Sequence, residues 1–185
     1  MMVNIIEDTP LIGNVGCYDV ILVGTNCYQT MRNGFQYDIA KKYPIVKKMN
    51  NSTKYADISK VGTILECDTN DSPLITLLYI SFGYNFKGNS DLYLDYEGLE
   101  KCLRLCNILY RGKKLATTLI GCTKYDGNGD ENTVLDIIKK VMRDVDIDVY
   151  RYRQESYREI KRRESDEYMI EKYGTKKRKK YDKKT

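Results

Sequence analysis

The sequence predicts an α/β sandwich built on a mostly parallel sheet. Three observations carry that expectation. Strand-like and helix-like segments alternate from Val3 to Tyr152. The strand-like segments are apolar throughout, as in "YDVILVG", "PLITLLYISFGY" and "KLATTLIGC". Continuous apolar runs mark strands buried on both faces, which parallel sheets require. Lastly, two of these strands pass through loops rich in Gly, Asn and Asp straight into helix starts.

In chain order, "VNIIED" (Val3 to Asp8) reads as a short strand ending in acids. "YDVILVG" (Tyr18 to Gly24) is the first fully buried strand, and "TNCYQTMRN" is the loop after it. "GFQYDIAKKYP" predicts a helix, with Phe35, Ile39 and Tyr43 at helical spacing and Pro44 as its stop. "VGTILEC" and "PLITLLYISFGY" read as further strands. "DYEGLEKCLRLCNILYRG" is the clearest helix: Leu99, Cys102, Leu103, Cys106, Leu109 and Tyr110 share one face, and Gly112 lies beyond its end. "KLATTLIGC" is another strand, "DENTVLDIIKKVMRD" a helix with Val134, Ile137, Ile138, Val141 and Met142 aligned, and "DIDVYRY" a last strand.

The chain has 185 residues, 42% apolar and 31% charged, which suits one globular domain. No apolar run approaches the roughly 20 residues of a membrane span, so no membrane partner is expected. The N-terminus lacks the basic-then-apolar pattern of a secretory signal, and a cytoplasmic location is the expectation. There is no histidine, which excludes Ser–His and Cys–His nucleophile chemistry. The six cysteines form no CxxC pair, so no zinc or other metal site and no cofactor is expected. Their placement on or beside apolar segments predicts buried, reduced thiols.

Net charge is +5, unevenly spread. From Arg158 onward there are twelve Lys/Arg and six Asp/Glu, leaving nineteen and twenty in the remainder. The globular part is thus close to neutral and the basic character belongs to an appendix. Two domains follow: an α/β domain over residues 1–153 and an extension over 154–185. In the extension "QESYREIKRRESDEYMIEKYG" reads as a thinly amphipathic helix ending at Gly174, and "TKKRKKYDKKT" as a basic tail. Such an arm solubilises, or anchors the chain to a protein partner, an assembly or nucleic acid.

In open α/β sheets, ligands bind beyond the carboxyl ends of the strands. Thr25–Gly34 and Thr123–Asp130 leave those ends and run into helix N-termini. Free backbone N–H groups and the helix dipole favour an anion there.

The order of elements, the strand–Asn–loop–helix unit, "DYEGLEKCLR" and "IGC…G.GD" together resemble the macro domain, the ADP-ribose-binding module. The similarity spans about Met1 to Tyr152. It lies nearest the branch with ADP-ribose-1″-phosphatase-like phage proteins and terminal ADP-ribose glycohydrolases. Abundant Tyr, Lys and Asn without Trp is a bias of AT-rich genomes, including many phages. The resemblance implies a three-layer α/β/α sandwich with a mixed, mostly parallel sheet. It implies that Asp8 accepts from the adenine amino group and that Asn26 lies near the distal ribose. A first phosphate loop would comprise Met31, Arg32, Asn33 and Gly34, with Arg32 and Asn33 in place of small residues. A second would comprise Gly121, Cys122, Thr123, Lys124, Gly127 and Gly129, with Thr123 and Lys124 intruding. Phe82 occupies the slot of the lysine that the glycohydrolase branch uses. Asn26 with Asp126 or Asp130 could instead position a water, although capping the following helix is the more ordinary role for Asp130. The sequence therefore implies binding of ADP-ribose or a related nucleotide, with altered catalytic positions. The alternative is an assembly component, such as part of a phage virion, that reuses the fold and anchors through its basic arm.

Overall fold

The computed structural model describes residues 2–70, 73–83, 93–123 and 127–151. The expected C-terminal helix and basic tail, and Lys124, Tyr125 and Asp126 of the second loop, lie outside the described residues.

Six strands form one sheet: β1 (Val3–Glu7), β2 (Val20–Asn26), β3 (Ile64–Cys67), β4 (Leu74–Ser81), β5 (Lys114–Thr118) and β6 (Asp146–Arg151). Their spatial order is β1-β6-β5-β2-β4-β3. All neighbours run parallel except β3, which pairs antiparallel with β4 at the edge. The α-helices among the described residues are α1 (Gly34–Lys42), α2 (Pro44–Ser52), α3 (Tyr96–Leu109) and α4 (Glu131–Val141).

The apolar runs do what their composition requires. Val20 and Leu22 of β2, with Leu78 and Ile80 of β4, pack against Leu99, Leu103 and Cys106 of α3 and Val134 and Ile138 of α4. Ile21 and Val23, with Ile75 and Leu77, face the opposite cluster, with Ile39 of α1 and Val46 of α2. Alternate residues of one strand thus feed two cores. The result is a mixed, mostly parallel sheet between two helical layers, as the sequence predicts.

Pro44 behaves differently from expectation. It ends α1 but also opens α2, as a proline in the first turn of that helix. A proline there gives up no hydrogen bond, because the first-turn N–H groups have no intrahelical acceptor. The strand expected from Val61 begins at Ile64, after Gly62 turns the chain at φ +84°. The cysteines also divide. Cys27, Cys67, Cys102 and Cys106 are buried, but Cys17 is exposed and Cys122 half-buried. Burial pushes the Cys67 thiol up to about 11 and that of Cys102 to about 12, so both stay protonated and unreactive.

Gly24 shows how tightly the centre is filled. A Cβ there would lie 2.7 Å from Ile120 Cγ2 and 2.8 Å from Ile80 Cδ1. Gly24→Ala should therefore destabilise the protein by about 1–3 kcal/mol through overpacking. Adding Ile80→Val, which removes one clashing atom, should recover part of the loss in a urea titration. Independent, additive losses would refute this reading of the contact.

Candidate functional site

The carboxyl end of β2 lies inside the sheet, between β5 and β4. Its last residue, Asn26, is buried, and the register with β4 shifts between Thr25 and Asn26. The Asn26 side chain organises the loop that follows. Its Nδ2 donates to Thr30 Oγ1 at 2.7 Å and to Thr30 O at 3.3 Å, and its Oδ1 accepts from Tyr28 N at 2.9 Å. Met31 is buried in the core beside α1 and α2, so its side chain anchors the loop. Arg32 and Asn33 are exposed.

Gly34 then starts α1 at φ +57°, a left-handed backbone that favours glycine; a Cβ there would meet nothing within 4 Å. Conformation, not space, makes glycine fit. Asn33 is the N-cap of α1, yet its side chain caps nothing, and the first turn holds no acid. The positive end of this helix dipole is therefore not neutralised by its own residues.

The second loop is built in the opposite way. Gly121 turns at φ +70°. A Cβ on Gly127 would sit 2.6 Å from Gly121 O, and one on Gly129 would sit 2.4 Å from Leu94 Cδ2. Several of its described N–H groups are spent inside it: Gly127 and Asn128 donate to Thr123 O, and Gly129 to Gly121 O. Tyr93 and Leu94 both donate to Gly127 O. The Asp130 N–H goes to the Tyr96 hydroxyl at 2.8 Å. Packing against Leu94 thus accounts for these glycines without any ligand. Thr123 is exposed and Cys122 half-buried.

Asp130 caps α4, accepting from Thr133 N at 2.8 Å and from Thr133 Oγ1 at 2.7 Å. Glu131 adds a second acid to that first turn. The N-terminus of α4 is already satisfied by carboxylate, which disfavours a further anion.

Asp8 follows β1 in a left-handed conformation, φ +55°, with its side chain exposed. Among the described residues its carboxylate has no hydrogen-bond or ionic partner. Two strands separate β1 from β2, three steps of about 4.8 Å. The ends carrying Asp8 and Asn26 therefore belong to strands that are not neighbours in the sheet.

Phe82 is 37% exposed just past β4 and packs on Tyr28, ring centroids 5.2 Å apart. Tyr28 in turn meets Tyr55 edge-on at 5.4 Å. This aromatic trio was not foreseen from sequence, because its members come from three separate segments. No local pattern in the sequence marks Lys60 either. Its Nζ lies 4.8 Å over the Tyr79 ring and donates to Thr53 Oγ1, and burial holds its amine below the usual lysine range.

Hydrogen bonds from the Thr133 N–H and hydroxyl hold the Asp130 carboxyl below the ordinary aspartate value of 3.8. A depressed folded-state pKa adds stability above the unfolded-state value, lost as pH falls through the folded one. Asp130→Ala should lower Tm at neutral pH, and the gap to wild type should close on acidification below the usual aspartate range. A gap that persists unchanged in acid would count against the cap.

No family model matches the sequence, and no curated protein does. Solved structures do match. A protein of unknown function from Bacteroides thetaiotaomicron superposes with a TM-score of 0.65, at 17% identity, over 82% of this chain and 98% of that one. The macrodomain of Mycobacterium tuberculosis DarG gives 0.62 at 15% identity, over 82% of this chain and 99% of that one. Thermosipho africanus DarTG, solved in complex with ADP-ribose, gives 0.60 at 14% identity, over 83% of this chain and 43% of that one. At such identities the likeness is one of architecture, and with the sheet order and layers above it leads to one conclusion: this chain has the macrodomain fold.

Proposed function

We propose that the protein binds ADP-ribose or a closely related nucleotide and does not turn it over. The observation that carries this reading is the uncapped, acid-free N-terminus of α1, reached through Gly34 from the inner strand β2. That arrangement favours a diphosphate. Arg32 adds a charged donor beside it. The unpartnered carboxylate of Asp8, across the sheet, suits the adenine amino group. The ADP-ribose complex of the T. africanus neighbour supports the same ligand class.

The second loop contributes shape more than donors in this reading. The N–H groups of Gly127, Asn128, Gly129 and Asp130 already serve Thr123, Gly121 and Tyr96. Turnover is disfavoured by three residues together. Phe82 stands where the resemblance implies a lysine, Asn26 is committed to Thr30 and Tyr28, and Asp130 is committed to Thr133.

Calorimetry with ADP-ribose should give a Kd in the micromolar range, about −8 kcal/mol. Asp8→Ala should weaken it about tenfold, the usual loss for one charge-assisted hydrogen bond. No heat with ADP-ribose, ADP or NAD would end the proposal. Incubation with ADP-ribose-1″-phosphate should release no inorganic phosphate above the buffer rate. Sustained release abolished by Asn26→Ala would show that the protein is an enzyme after all.

A further inference from the structure

We propose that the open edge of β3, with the flank of α3 beside it, docks an extended segment of a partner protein that sets a basic side chain opposite Glu66 and an apolar one opposite Ile64. β3 is the last strand of the sheet. In an antiparallel pair, residues that exchange backbone hydrogen bonds with the neighbour alternate with residues whose N–H and C=O point away. Tyr79 N donates to Thr63 O at 3.1 Å, which fixes the phase. Leu65, opposite Leu77, and Cys67, opposite Ile75, therefore bond to β4, while Ile64 and Glu66 turn their backbone groups outward. Among the described residues nothing meets those outward groups. Such an edge is a template for another strand.

The helix flank next to this edge is apolar. Leu105, Ile108 and Leu109 of α3 are 42%, 65% and 56% exposed. Contacts on either side of α3 fix which way they face. A Cβ on Gly62 would lie 3.1 Å from Lys101 Cδ, and Cys102 Sγ donates to Thr63 O at 3.2 Å. The Tyr110 hydroxyl donates to Glu66 Oε1 at 2.8 Å. The other flank is turned to α4 and the turn after it, where Glu100 accepts from Lys140 and Asn107 from Asp144 N. Leu105 and Leu109 stand four and eight residues after Lys101, so they continue its row on the β3 side. The side chains of Ile64 and Glu66 point to the same side, Ile64 onto the α3 core and Glu66 to Tyr110. A strand added to β3 would set every second side chain against Ile64 and the leucine row.

Charge specifies the occupant. The cations of this helix are answered within the protein: Lys101 by Glu97, Arg104 by Glu100 and Arg111 by Asp144. Glu66, and Asp68 just past the strand, take part in no ion pair among the described residues. A Lys or Arg opposite Glu66 supplies the missing charge. A second copy of this chain does not. Antiparallel self-pairing through the outward groups would put Ile64 opposite Glu66 and the two Glu66 carboxylates diagonally on one face, where they repel. The occupant is therefore a different, basic segment.

Full-length protein should be titrated by anisotropy with fluorescein-labelled peptide TKTKTVT. In the antiparallel register its lysines fall opposite Asp68 and Glu66 and its valine opposite Ile64. A Kd of roughly 100 μM is expected. The peptide TETETVT, with glutamate for lysine, should bind about tenfold more weakly. Joint replacement Leu105→Ser and Leu109→Ser should weaken TKTKTVT about tenfold, and Glu66→Gln severalfold. These side chains are exposed, and a melting curve verifies folding; should the double variant not fold, Glu66→Gln and the peptide pair still decide. Amide hydrogen exchange separates strand addition from adhesion to the helix. The Ile64 and Glu66 N–H groups should become protected on binding, while those of Leu65 and Cys67 are protected already. Unchanged exchange at Ile64 and Glu66 under saturating peptide would overturn the proposal. So would equal affinity for the two peptides, or no binding up to about 1 mM. A dimer in sedimentation that the double leucine variant dissolves would also overturn it, by giving the edge to a second copy. The proposal does not rest on the nucleotide reading, and ADP-ribose affinity should be the same in all these variants.

Discussion

The burial of β2 and β4 on both faces is the constraint from which the rest of the structure follows. Their side chains alternate between two cores, so each face must be covered by helices. Parallel neighbours need crossover connections, and those connections are the helices. The turns into those helices then gather at the carboxyl edge of the sheet. The crowding at the centre is severe enough that Gly24, between Ile80 and Ile120, has no room for a methyl group. A position so filled transmits little slack to the loops above it.

At that edge the two loops have diverged in construction. The first is held by side chains: Asn26 ties it at Thr30 and Tyr28, Met31 plugs it into the core, and Gln29 clamps it to the end of α2. Its backbone delivers α1 with an unneutralised N-terminus. The second loop is held by its own backbone, with glycines fitted around Leu94 and the Gly121 carbonyl. Its helix arrives already capped by Asp130. A glycine-rich stretch before a helix can therefore serve packing as fully as it serves phosphate. The difference shows in where the N–H groups point, which composition does not report. It also moves the chemical interest toward the first loop.

Most of the fold was legible in the residues. The continuous apolar runs marked the buried strands, and the spacing of Leu99, Cys102, Leu103 and Cys106 marked α3. Asp130 was legible as a cap, because an acid three residues before a threonine N–H at a helix start has a local geometry. α2 was missed because Pro44 reads as a stop, and whether a proline also begins a helix depends on what Val46 can pack against. The aromatic trio was illegible for a plainer reason. Tyr28, Tyr55 and Phe82 lie on separate segments, and no local pattern links them.

The sequence by itself determined the alternation of strand and helix, the two-sided burial of the central strands, and the loops that meet helix N-termini. These depend on periodicity and local backbone preference, which act over a few residues. Only the tertiary structure decided which loop keeps an open helix end, which glycines answer to Leu94, and which distant rings meet. Those outcomes depend on long-range contacts and on the partner each polar group finds, and both are settled when the chain packs.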